Sequence, residues 1–163
     1  IINSHMGFAM IAGAIPVPLV DILAVTAIQM DMLQHLSKLY EIDFNEERGK
    51  SLVTALVGSA IGTSIGRMGA SAVKAIPGVG TALGITSQVI LSGATTYAIG
   101  KVFQSHFKNQ GTLFNFKPEA MKDKFVEFLN IGKQVAKEKE SKQSEEDILN
   151  TIAKLKELVD SAQ

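Results

Sequence analysis

From Ala75 to Gly100 the chain runs for 26 residues without one charged side chain. A segment of that length and character has to be kept from water. As an α-helix it would reach about 39 Å, enough to cross a bilayer. Thr81, Thr86, Ser87, Gln88, Ser92, Thr95 and Thr96 dilute it. That dilution suits a helix buried in protein equally well. The run belongs to a wider asymmetry. Residues 1–100 carry eleven charged side chains and residues 101–163 carry the other twenty-one. The chain reads as an apolar block followed by a charged helical region.

Composition excludes several classes. There is no cysteine, so disulfides, thiolate metal sites and thiol catalysis are out. Sixteen basic residues balance sixteen acidic ones, and no nucleic-acid partner is expected of a chain with pI near 7.0. Apolar residues make up 46%, and the mean hydropathy of +0.19 is high for a soluble domain. Asn3-Ser4-His5-Met6 reads as a vector scar, so residues 1–5 are set aside. Residues 6–107 are then expected to form an apolar helical core, and residues 108–163 a charged helical extension packing on it or projecting from it.

Periodicity predicts an all-α fold, a glycine-rich bundle of five to six helices with no sheet. Ile15-Pro16-Val17-Pro18 breaks the first apolar stretch, because two prolines so spaced cannot both sit inside a helix. A helix from about Pro18 to Tyr40 follows. Asn45 is placed to cap the next, over about 46–74. Ala75 to Gly80 is a breaker, and a fourth helix spans about 80–107. Residues 108–117 read as a loop anchored by Phe114 and Phe116. Two helices are expected beyond it, at about 118–138 and from Ser144 onward, with a charged linker at 137–143. Ala14-Ile15-Pro16 and Ala75-Ile76-Pro77 form a faint internal echo.

Gly58, Gly62 and Gly66 recur every four residues. Three helical glycines cost about 2–3 kcal/mol of propensity, which a close helix approach would offset. They are expected to form a packing interface, within the chain or against another copy or lipid. Asp21 and Arg67 are isolated charges in apolar surroundings. Each can be read as ordinary, a cap and a snorkelling side chain, or the two can pair across helices. Ile148, Ile152, Leu155 and Val159 make one stripe near the C-terminus, a docking helix or a partner-binding element.

No catalytic constellation can be singled out, and no cofactor is expected. Gly100-Lys101-Val102 lacks the first glycine and the metal-holding hydroxyl of a phosphate loop, having Thr95 and Val102 there. Asp31 and His35 lie four residues apart on one helix face, but two ligands without a third read as a surface pair. His106 stands at a helix end, where a cation suits the dipole.

Two blocks carry a family resemblance. The first is Ala14-Ile15-Pro16-Val17-Pro18-Leu19-Val20-Asp21-Ile22, with Thr26-Ala27-Ile28-Gln29-Met30 and Leu39-Tyr40 after it. The second is Gly66-Arg67, Lys74-Ala75-Ile76-Pro77-Gly78-Val79-Gly80-Thr81 and Thr96-Tyr97-Ala98-Ile99-Gly100. Over roughly residues 9–105 the chain resembles the YcjF-type, GTPase-associated bacterial family of unknown function. The resemblance implies an all-helical module often found C-terminal to an Era-like GTPase domain, with some relatives at the inner membrane. It assigns no catalytic residue. Glu41 stands where that family often has glycine, which puts the geometry of this turn in question.

The expectation is a non-enzymatic interaction module associated with a GTPase, in cis or in trans, in the cytoplasm or at the inner membrane, peripheral or integral. The alternative is a membrane-inserting hairpin built from residues 46–74 and 80–107. Membrane lipid and a second copy of the chain are the other partners considered. A ligand-binding bundle ranks below these, because no polar cluster converges on an apolar pocket.

Overall fold

A computed structural model describes residues 1–14, 18–68 and 82–161, with side chains at 1–14, 23–60, 88–143 and 146. Among them are five helices and no strand: α1 (Ile2–Gly13), α2 (Pro18–Leu39), α3 (Glu46–Met68), α4 (Ala82–Lys108) and α5 (Pro118–Ser161). The structure is 84% helical, and the all-α expectation holds.

Helix ends follow the local chemistry. Pro18 opens α2, where its fixed φ fits and its missing N–H costs nothing. At the other end the Ile42 N–H donates to the Ser37 carbonyl and the Glu41 N–H to that of Lys38. This is a Schellman closure, and Glu41 occupies its left-handed position with φ of 56°. α3 begins as expected, with the Arg48 N–H donating to Asn45 Oδ1 at 2.8 Å. α4 closes as α2 does. Gly111 N–H reaches the His106 carbonyl, and Gln110 takes the positive φ of 62°.

α4 is the central rod, packed most extensively against α5 and α1 and also against α2. Its face buries Ala94, Ala98, Ile99, Val102, Phe103 and Phe107. Met32, Leu33 and Leu36 from α2, Leu56 from α3 and Phe125 from α5 complete the core with it. Four glycines set the spacing of these contacts. A Cβ on Gly132 of α5 would stand 2.8 Å from the Ala94 carbonyl oxygen of α4. One on Gly93 would stand 2.5 Å from Met10 Cγ, and one on Gly13 2.6 Å from Ser92 Oγ. One on Gly100 would press on Ile2 and Met32, both at 2.9 Å. Where its side chains are described, the charge-free segment is thus covered by protein for the most part, with Leu91 left exposed.

The 109–117 connection is tied down by three apolar residues in different ways. Leu113 and Phe116 are buried, and Phe116 stacks on Phe103 with centroids 4.3 Å apart. Phe114, expected to anchor beside Phe116, is instead exposed, with the Arg48 guanidinium over its ring at 4.8 Å. Arg48 can do this because its Nε donates to the Leu113 carbonyl and its Nη2 to that of Phe114. His106 contacts the Thr112 carbonyl and Asn115 Oδ1, and a Cβ on Gly111 would strike its ring.

Two differences from the sequence reading concern chain ends. The two expected C-terminal helices are one, α5, of 44 residues. Residues 137–143 carry no glycine or proline, and a charged run alone does not stop a helix. Residues 1–5, set aside as a scar, form the start of α1, and Ile2 and His5 are buried.

Candidate functional site

The feature that stands out on the surface is the outer side of α1. An amphipathic helix would turn its large apolar residues inward. α1 is apolar nearly all round, so burying Met6, Ala9, Met10 and Ala12 against α4 leaves others facing water. Phe8 is 57% exposed and Ile11 is 70% exposed. Leu23, just beyond the Pro16–Pro18 break, is 71% exposed. Beside Phe8 and Ile11 runs a groove of about 580 Å³ between α1 and α5, floored by Met10 and Val89. Its far wall is charged, with Lys139 and Lys142 alongside Glu140 and Glu146.

On another side of α1 three polar groups meet. His5 Nε2 lies 2.7 Å from Asp31 Oδ2 of α2. His35, one turn further along α2, places Nδ1 3.4 Å from the same oxygen and 2.9 Å from the Asp31 carbonyl oxygen. His5 is buried, with its Nδ1 2.8 Å from the Ile1 carbonyl, whereas Asp31 and His35 are open to water. A solvent-facing hollow lined by Ala27, Met30, Asp31, Gln34, Phe44 and Glu46 lies alongside. The sequence reading found Asp31 and His35 but not the third member, because His5 is 26 residues from Asp31 and had been discarded with the scar.

The other sequence-selected residues fare differently. Gly58 is exposed, and among the described residues a Cβ there would meet nothing within 4 Å. It stands on the exposed side of α3, while Leu52, Val53 and Leu56 of the same helix are buried. The surroundings of Gly62 and Gly66 lie outside the described residues. So do the side chains of Asp21 and Arg67, the stripe Ile148, Ile152, Leu155 and Val159, and the Ala-Ile-Pro echo. Gly100 and Val102 are buried mid-helix in α4, far from a phosphate-cradling loop geometry.

Among the described residues no helix is long and apolar enough to cross a membrane. Phe8 and Ile11 thus lie on the surface of an all-helical domain, outside the buried core that the described residues form. Comparison with known proteins gives the class a family. The chain belongs to the family described as Domain of unknown function (DUF697), which it matches over residues 1–134. That match takes in α1 from its start and the first part of α5, wider on both sides than the two sequence blocks. A relative is Magnetosome membrane protein 22 of Magnetospirillum gryphiswaldense, 42% identical over 136 residues, which are 83% of this chain and 70% of that protein. No solved structure matches.

Proposed function

We propose that this domain is a non-catalytic helical module that works at a membrane surface, seating the exposed edge of α1 at the bilayer interface. The observation that carries the reading is the pair Phe8 and Ile11, large and apolar yet turned away from a core that is already complete. A relative at 42% identity is named a membrane protein, which agrees with this placement. Fully burying one such side chain yields about 1.5–3 kcal/mol. A lysine beside an anionic surface adds about 1 kcal/mol. Here Glu140 and Glu146 share the wall with Lys139 and Lys142, so the apolar contribution dominates. Binding is then reversible and only weakly dependent on salt.

Vesicle flotation tests it. The protein should float with vesicles of phosphatidylcholine and phosphatidylglycerol at both low and high salt. The double variant Phe8→Glu/Ile11→Glu should stay at the bottom with an unchanged helical circular-dichroism spectrum. Wild-type protein remaining at the bottom would end the reading. The resemblance of the two sequence blocks adds a GTPase as the partner on the membrane. A pull-down with an Era-like GTPase domain should be nucleotide-dependent, and equal capture with GDP and a GTP analogue would remove that part. Insertion of a hairpin made from α3 and α4 is less favourable, since α4 would have to leave α1 and α5.

A further inference from the structure

We infer that His5, Asp31 and His35 form a binding site for one divalent transition-metal ion, clamping α1 to α2. The argument begins with the donor set. Two imidazoles and one carboxylate are the ligands that borderline cations such as Zn²⁺ take. Each of the three residues offers a ligand atom, and these atoms all lie within 4.8 Å of one another.

Their surroundings favour the role. The Ile1 carbonyl takes up Nδ1 of His5 as an N–H donor, which leaves Nε2 as the ring nitrogen that can ligate a metal once it holds no proton. A backbone carbonyl behind a histidine is the partner that commonly orients a metal-ligating ring. Nε2 faces Asp31 Oδ2 at 2.7 Å. Two acceptors so close need a cation between them, either a proton or a metal ion. Asp31 and His35 are four residues apart on α2, a spacing that puts two ligands on one helix face.

The ion would require adjustment: His35 Nδ1, 2.9 Å from the Asp31 carbonyl oxygen, must give up that contact to ligate, and its exposed ring is able to turn. Ligand atoms around tetrahedral Zn²⁺ stand about 3.3 Å apart, so the His5–Asp31 pair must open by about 0.6 Å. Asp31 can supply that movement because its side chain is 54% exposed, as is that of His35. The fixed member is His5, held in α1 with its side chain 10% exposed. The neighbouring hollow gives an ion and its water a path from solvent on the Asp31 side. Three protein ligands and an open fourth position describe a site that exchanges its metal rather than a sealed structural centre.

The test is isothermal titration of the intact, chelator-treated protein with Zn²⁺ alone. One ion per chain is expected, with a Kd of about 1 μM or tighter, about −8 kcal/mol by the standard conversion. Zn²⁺ should also raise the thermal unfolding midpoint, and EDTA should reverse that rise. His35→Ala and Asp31→Asn alter exposed side chains, so both variants should keep the wild-type circular-dichroism spectrum. Each should weaken binding by at least about 10-fold, since even outer partners of metal ligands are worth that much. Co²⁺ in place of Zn²⁺ should give visible ligand-field bands in the wild type that His35→Ala loses. Absence of binding below about 100 μM, or equal affinity in His35→Ala, would overturn the site.

Discussion

The evenly spaced glycines of α3 and those at the contacts of α4 with its neighbours differ. On α3 Gly58, Gly62 and Gly66 are evenly spaced, and a Cβ on Gly58 would meet nothing among the described residues, whereas one on Gly49, outside that spacing, would meet Met30 and Phe44. Gly13, Gly93, Gly100 and Gly132 follow no shared period, yet each lies where a Cβ would press into a neighbouring helix. Glycine is needed where two backbones approach, and that is a property of a pair of helices. A repeat within one helix shows only that several glycines share a side. It does not show that another helix lies there.

That contrast can be broken by substitution. The largest effect is expected at Gly132→Val, whose side chain would run into the α4 backbone at Ala94, which cannot swing aside. A loss of about 3 kcal/mol is expected, read as a lower urea midpoint with unchanged slope. Gly93→Val meets Met10 instead, a flexible side chain, so the loss should be smaller, about 2 kcal/mol. Glu41→Gly sharpens the comparison from the opposite side. Here a positive φ calls for glycine and the chain has a glutamate, so the variant should gain about 1 kcal/mol. Gly58→Ala should be the mildest. With open space around the site, alanine's better helix propensity should stabilise α3 by about 0.8 kcal/mol. A loss there would revive the ridge as a contact.

Much of the fold was legible in the residues. Pro18, Asn45 and Pro118 each mark a helix start, because their effects are local. The low charge before residue 101 announced a buried α4. The join of two expected helices into α5 was not legible, since charge density does not distinguish a solvated helix from a linker. Nor was Phe114, whose exposure is set by Arg48, a residue 66 positions away. The polar cluster shows the same limit. Asp31 and His35 share one helix face and could be paired by counting, but His5 joins them only through the packing of α1 on α2. The exposure of Phe8 and Ile11 was hidden for a related reason. Beyond Asn3, Ser4 and His5 the helix α1 is apolar on every side, which gives no sign of which face the core will take.

On the proposed function, α4 stays packed between α1 and α5 while the outer edge of α1 touches lipid. The chain has no native cysteine, so single labels can be placed at will. An environment-sensitive fluorophore at Ile11→Cys on α1 and, in a second variant, at Thr54→Cys on the exposed side of α3 would report both regions. On adding vesicles, the label at residue 11 should shift to the blue and be quenched by shallowly brominated lipid, while the label at residue 54 should not respond. No shift at residue 11, or quenching at residue 54 by deeply brominated lipid, would contradict the account.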